Sequence, residues 1–335
     1  MGKKFIFTAI SIAVITASGL FIKYRYNYFD APSSKSESIP EQNQEVAVNT
    51  TEANHPFSIE YMRKQEYPGS EITIGDDLTN GSNYSRYIAS YNSEGLKQYG
   101  LLTIPNGDMP ETGWPAIVFL HGYIDPDVYN TTDRYTAYQD GFARNGYVTF
   151  KIDYRGNGNS EGTSHGGQEA PDYTIDALNA FTSLQKDDRV DANRIGMWGH
   201  SMGGSILVRA MVINPDVKAG VSWAGVVGLY EQVPRQWFDG LIATYGEPDN
   251  ASFWRSISPI YHLEKISGPV QLHHATGDES VDVGMSETFH ESMQDIGKLS
   301  ELYIYQGDDH NLSQNFSIAM TRSIDFFDTY VKISY

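Results

Sequence analysis

From Trp114 onward, short apolar runs alternate with stretches in which apolar residues recur every three or four positions. That alternation predicts buried parallel strands joined by amphipathic helices. Residues 115–120 form a continuous apolar run of strand length, and residues 147–152 form the next. Between them, residues 133–145 read as a helix stopped by Gly146. Residues 172–186 carry Ile175, Leu178, Phe181 and Leu184 on one stripe, which predicts another helix. Further strands are expected over 194–198, 218–223, 270–275 and 302–305, with a last helix over 316–331 closing the domain. Ahead of Trp114 the pattern changes. Residues 71–74, 84–91 and 96–104 read as consecutive short strands, with Asn92-Ser93-Glu94-Gly95 turning the second into the third. Antiparallel hairpins of this kind are expected to edge an otherwise parallel sheet.

Two stretches depart from the alternation. Between 224 and 268 it lapses into a segment holding Tyr230, Trp237, Tyr245 and Trp254. This segment is expected to form a small helical cap over the C-terminal ends of the strands, where open α/β sheets bind ligands, and to shape the substrate pocket there, with the cover of an apolar edge as the alternative. At the N-terminus, Lys3 and Lys4 precede an uncharged run from Phe5 to Ile22, closed by Lys23 and Arg25. The run approaches the length needed to span a bilayer, so residues 1–25 are expected to be an uncleaved anchor, with a cleaved signal peptide as the alternative. Either way the folded part is expected outside the membrane, tethered or secreted. Residues 26–55 are rich in Ser, Glu, Gln and Asn and poor in large apolar side chains, which predicts a disordered tether, with one folded domain over 56–335.

Composition narrows the chemistry. The net charge is −18, from 24 basic and 42 acidic residues, so nothing would neutralise the phosphates of a nucleic acid. There is no cysteine, which excludes disulfides, thiolate catalysis and cysteine-ligated metals. Arg155 to Gly162 is glycine-rich and follows a strand, but it lacks a phosphate-binding lysine and no helix opens at its third glycine. His273 and His274 are adjacent on a strand and should point to opposite faces, a poor metal pair.

The chemistry concentrates at Gly199-His200-Ser201-Met202-Gly203-Gly204, which follows one predicted strand and opens into a helix. This is the nucleophile-elbow pattern of α/β-hydrolases. The serine must sit on so sharp a turn that its neighbours have no room for side chains, and it is then presented at a helix N-terminus. A serine hydroxyl is a weak nucleophile and needs a base, and the base needs an orienting carboxylate, in the chain order Ser, Asp, His. After the strand over 270–275 comes an acidic loop in which Asp278 is the candidate carboxylate and Asp282 the runner-up. After the next strand, Gly307-Asp308-Asp309-His310 ends in the one histidine that follows the acid in such a loop. His200 is expected to pack beside the nucleophile rather than react. Oxyanion donors are expected from the Met202 N–H and, in the loop after Leu120-His121-Gly122, from the Tyr123 N–H, with the Tyr123 hydroxyl as a substitute.

With these residues in place, the chain resembles the catalytic domain of the prolyl oligopeptidase family of serine peptidases, within the α/β-hydrolase superfamily. The similar stretches are His121-Gly122-Tyr123, Asp153-Tyr154-Arg155-Gly156-Asn157-Gly158, the elbow, His274 to Val281, and Asp309-His310, so the likeness runs from roughly Tyr84 to the C-terminus. The resemblance implies an α/β-hydrolase fold and a triad of Ser201, Asp278 and His310. It favours Asp278 over Asp282, because the family's acid precedes an acidic residue, a variable position and a valine. It also implies a departure, since family peptidases generally carry a β-propeller ahead of this domain, and the hairpins and linker before Trp114 are too short to form one. Propeller-less relatives include esterases of small acyl esters. The expected function is therefore cleavage of an ester or short peptide without metal or organic cofactor. A carboxylesterase is the alternative within enzymes, and a non-catalytic binding module on the same fold is the alternative of another class. Activity is expected to fall on acidification, because a protonated imidazole has no lone pair to accept the serine proton.

Overall fold

The computed structural model describes residues 54–248 and 252–333. The expected anchor over 1–25 and nearly all of the expected tether lie outside the described residues. Among the described residues, no helix is long and apolar enough to cross a membrane.

The strands are β1 (Thr73–Leu78), β2 (Tyr84–Ser93), β3 (Leu96–Pro105), β4 (Trp114–Leu120), β5 (Val148–Ile152), β6 (Val190–His200), β7 (Gly220–Trp223), β8 (Val270–Ala275) and β9 (Ser300–Tyr305). They form one sheet in the order β1-β2-β3-β5-β4-β6-β7-β8-β9. β1, β2, β3 and β5 pair antiparallel, and from β5 to β9 every neighbour is parallel. The split follows from the connections. β2 and β3 are joined by the two residues Glu94 and Gly95, both at positive φ (52° and 82°), the tight turn that matches strand twist in a hairpin. Asn92 Oδ1 closes that turn on the Gly95 N–H at 2.9 Å. From β4 on, helical crossovers leave only parallel pairing open.

The helices are α1 (Ile59–Met62), α2 (Thr136–Arg144), α3 (Asp172–Gln185), α4 (Met202–Ile213), α5 (Asp239–Tyr245), α6 (Ser252–Ile257), α7 (Gly284–Asp295) and α8 (Phe316–Phe327). β4 is apolar throughout because both of its faces are covered. Ala116, Val118 and Leu120 enter a core shared with Leu178 and Phe181 of α3 and Leu207 of α4. Ile117 and Phe119 point the other way, into a second core with Phe142 of α2 and Phe326 of α8. The result is an α/β-hydrolase fold with a core on each side of the sheet.

Three elements differ from expectation. α2 begins at Thr136 rather than 133, because Tyr135 stands in the left-handed region (φ 64°, ψ 10°) and cannot continue a helix backwards. The last helix ends as α-helix at Phe327 and continues as one π-type turn, Asp328–Lys332. The strand of the elbow is longer than its apolar stretch and runs from Val190 to His200.

The segment over 224–268 folds as 3-10 turns (Tyr230–Gln232, Arg235–Trp237 and Pro259–Lys265) around α5 and α6. Its Tyr230, Phe238, Trp254 and Ile257 join the core on the α4 side. The buried Arg209 guanidinium of α4 donates to the Ile257 carbonyl at 2.7 Å, which binds α6 to the flank of α4. The earlier part reaches the loop between β5 and α3, where Glu169 accepts the Gly240 N–H at 2.8 Å.

Candidate active site

The turn between β6 and α4 is strained as the motif requires. Ser201 sits at φ 54° and ψ −120°, a conformation that L residues avoid unless the surroundings enforce it. Two glycines make the turn sterically possible. A Cβ on Gly199 would lie 2.3 Å from the Gly203 carbonyl oxygen, and one on Gly203 would lie 2.0 Å from that of Leu120. Both obstacles are backbone, which cannot swing aside like a side chain. Gly203→Ala is therefore expected to cost about 3 kcal/mol of stability, read as a lower urea midpoint at unchanged slope; an unchanged midpoint would contradict the close approach.

Sheet register brings the other loops to the same end. Leu120 of β4 pairs with Gly199 of β6, so Gly122 emerges beside the elbow. A Cβ on Gly122 would stand 3.1 Å from Ser201 Cβ, which shows how near the two backbones run. The Gly122 N–H is committed to the Tyr135 hydroxyl at 2.9 Å, so the next amide along this loop is that of Tyr123, whose ring is 67% exposed. Met202, the other expected donor, is the first residue of α4.

The last residues of β8 and β9, Ala275 and Tyr305, pair with each other, so the loops carrying Asp278 and His310 leave the sheet side by side. His310 Nδ1 lies 2.7 Å from Asp278 Oδ2. The Asp278 side chain is fully buried and that of His310 is 19% exposed. A carboxylate can only accept, so Nδ1 carries the proton and Nε2 is left with its lone pair. Asp278 Oδ2 also accepts from His274 Nε2 at 3.1 Å, and Oδ1 accepts the N–H groups of Ser280 and Val281 at 2.8 and 3.0 Å. Burial by itself would raise the Asp278 pKa, but the hydrogen bonds from His274 and His310 outweigh it and hold the carboxyl well below the usual range. Asp282, the runner-up, instead caps its own turn by accepting the Gly284 N–H at 2.7 Å.

No hydrogen bond joins Ser201 Oγ to His310 among the described residues, and such bonds often tighten only when substrate is bound. The residue before the serine, the buried His200, is the one that packs against His310. Its ring centroid lies 4.7 Å from that of His310, its Nε2 is 3.0 Å from the His310 carbonyl oxygen, and its Nδ1 is 2.7 Å from the Tyr135 hydroxyl. His200 thus packs beside the serine, as its position suggested.

Several supporting residues escaped sequence reasoning. His274, which the sequence places in a family-like stretch and in a poor metal pair with His273, diverges from His273, which bonds the Tyr305 hydroxyl, and braces Asp278. Asp308 accepts the N–H groups of Asp309, Gln314 and Asn315 and so shapes the loop that presents His310. In the glycine-rich stretch after β5, Asp153 accepts the Tyr129 and Thr131 hydroxyls. Arg155 there pairs with the buried Asp176 at 2.7 Å, tying the loop to α3. Some of these contacts are local, as His274 with Asp278 and Asp308 with its own loop, and others join segments far apart in the chain, as Asp153 with Tyr129 and Arg155 with Asp176, and the chain order of the triad residues points to neither kind.

The family model Peptidase_S9, of the prolyl oligopeptidase family, matches residues 134–334. The chain is 30% identical over 229 residues to the uncharacterized peptidase YtmA of Bacillus subtilis, covering 65% of this chain and 83% of that one. Among solved structures, the acylaminoacyl peptidase of Pyrococcus horikoshii superposes with a TM-score of 0.64 at 22% identity, over 77% of this chain and 45% of that chain. An acetyl xylan esterase from Paenibacillus sp. R4 superposes with a TM-score of 0.65 at 18% identity, over 87% of this chain and 96% of that one. The chain thus spans less than half of the acylaminoacyl peptidase and nearly the whole of the esterase.

Proposed function

This chain belongs to the prolyl oligopeptidase family and is a serine hydrolase, and from that premise we propose that it cleaves a small ester or short peptide through a triad of Ser201, His310 and Asp278. The observation that carries the proposal is the 2.7 Å contact of His310 Nδ1 with the buried Asp278, on loops that open beside the strained Ser201. In this reading Ser201 Oγ attacks the carbonyl carbon while His310 Nε2 takes its proton, and the carbonyl π pair moves onto oxygen. The N–H groups of Met202 and Tyr123 stabilise that oxyanion, whose collapse expels the alcohol or amine as His310 returns the proton. Water, deprotonated by His310, then releases the acyl group and restores the serine. Asp278 holds the imidazole and stabilises its charged form without itself taking a proton.

Within this reading, one observation favours an ester as the substrate. The superposition covers 96% of the acetyl xylan esterase but 45% of the acylaminoacyl peptidase. The basic flank and uncharged run at the N-terminus support a further proposal, that the catalytic domain works outside the cytoplasmic membrane, tethered or released. The test is turnover of short-chain nitrophenyl esters against aminoacyl and dipeptidyl anilides, together with labelling by a fluorophosphonate. Ester turnover with inert anilides would establish an esterase, and anilide turnover a peptidase. Folded protein that neither labels nor turns over any of them would sink the triad.

A further inference from the structure

Two side chains outside the triad, the buried His200 and the partly buried Tyr135, connect its parts. The Tyr135 hydroxyl accepts the Gly122 N–H at 2.9 Å and lies 2.7 Å from His200 Nδ1, while His200 Nε2 lies 3.0 Å from the His310 carbonyl oxygen. The direction of every bond is fixed by one group. A carbonyl oxygen only accepts, so His200 Nε2 carries the proton and Nδ1 is bare. Nδ1 must then accept from the Tyr135 O–H, whose oxygen is left to accept from Gly122. Donors and acceptors therefore match along the whole line, from the loop after β4 to the loop after β9. Burial, with His310 alongside, lowers the His200 pKa to about 3, so the line keeps this polarity through neutral pH.

The neighbouring peptide is pinned as well. His121 Nδ1 donates to the Gly122 carbonyl at 2.7 Å. In a trans peptide the carbonyl and the following N–H point in opposite directions, so this bond sets where the Tyr123 N–H is aimed. Tyr135 is held in the left-handed region, at φ 64°. Backbone strain of order 1–3 kcal/mol is retained at such a residue only where its surroundings enforce it, and here the strained residue is the one whose hydroxyl reaches both Gly122 and His200.

We propose that Tyr135 and His200 form a positioning bridge that holds the oxyanion loop at Gly122 and Tyr123 and the base loop at His310 in register about Ser201. Neither side chain makes or breaks a bond with substrate. The inference rests on the triad reading above, and it assigns these residues to transition-state geometry rather than to substrate binding. Misplacement of an oxyanion donor or base by about 1 Å costs up to about a hundredfold in rate.

The test uses the full chain and whichever nitrophenyl ester the wild type turns over best. Tyr135→Phe, which keeps the ring and removes the hydroxyl, is expected to lower kcat by about 10- to 100-fold with KM within about threefold. Affinity for a trifluoromethyl ketone transition-state analogue should fall in step with kcat/KM, a response that a purely structural role would not produce. His200→Phe removes both links at similar volume, and His200→Gln restores an amide N–H toward the His310 carbonyl. The glutamine variant is expected to recover at least fivefold in kcat over the phenylalanine variant, and this pair decides the matter if Tyr135→Phe fails to fold. Wild-type kcat in folded Tyr135→Phe would overturn the bridge, as would equal kcat in the two His200 variants. Loss confined to KM would overturn it too. A wild-type chain inert to every ester and anilide would instead remove the triad reading beneath it.

Discussion

Ser201→Ala is expected to lower kcat by about five to six orders of magnitude on any ester or anilide that the wild-type chain hydrolyses. In the proposed triad the hydroxyl oxygen is the atom that forms the new bond, and His310 and Asp278 have no catalytic function without it, so the loss is large. What remains is the contribution of the oxyanion donors and substrate binding, about 10³- to 10⁴-fold over water. The fold should barely respond. Alanine keeps the Cβ already accommodated at φ 54°, and the backbone bonds of residue 201, from its N–H to Trp223 and from Gly204 and Val226 to its carbonyl, do not involve the hydroxyl. Stability is expected within about 0.5 kcal/mol of wild type. Steady-state turnover beside a thermal unfolding curve checks both halves. Retention of a tenth of the activity would take Ser201 out of the reaction.

Asp278→Asn is expected to lower kcat by about 10⁴-fold, and the hydrogen bonds around Asp278 say why an isosteric change is so harmful. Oδ1 accepts two backbone N–H groups, from Ser280 and Val281, so the asparagine oxygen is drawn to that position. Its NH₂ then faces His310 Nδ1, where a carboxylate oxygen had accepted. His310 relieves the clash of two donors by moving its proton to Nε2, and an Nε2 that already carries a proton cannot take one from Ser201. The pH dependence follows from the same contacts. Because the Asp278 pKa is held well below the usual carboxylate range, the carboxylate stays ionised as the pH falls from neutral and goes on accepting from His310. Stability carries a separate signature. A carboxylate with a depressed folded-state pKa contributes stability above its unfolded pKa, about 4, and loses it as the pH falls through the folded value. The stability gap between wild type and Asp278→Asn should therefore narrow in acid below about pH 4, which unfolding curves across pH would show.

How much of this was legible beforehand depended on the range of the interactions. Strand β4 stands where a continuous apolar run placed it, since a strand covered on both faces favours apolar side chains at every position, and β5 and β8 stand close to their expected bounds although their buried faces also hold Lys151, Gln271, His273 and His274. The β2–β3 hairpin was equally visible, because Glu94 and Gly95 form a turn from local chemistry alone. The start of α2 was not, because the left-handed Tyr135 is held by bonds to Gly122 and His200, distant in sequence. The segment over 224–268 also resisted a single reading. Its aromatic residues suit either a cap or a cover, and it packs through Trp254 and Ile257 against α4 while also reaching Glu169.

The sequence by itself determined the alternation of strands and helices, the elbow with its glycines, and the order of Ser201, Asp278 and His310. These features are written in local periodicity, in steric limits on a turn, and in a chain order common to one fold. Only the tertiary structure decided that His310 reaches the buried Asp278 at 2.7 Å, that His274 shares its carboxylate, and that Tyr135 and His200 join the loops around the serine. The reason is physical. Apart from His274, which reaches Asp278 from the end of the same strand, each contact is a hydrogen bond between segments that belong to different strands, and its existence depends on sheet register and loop path, which no local pattern of residues encodes.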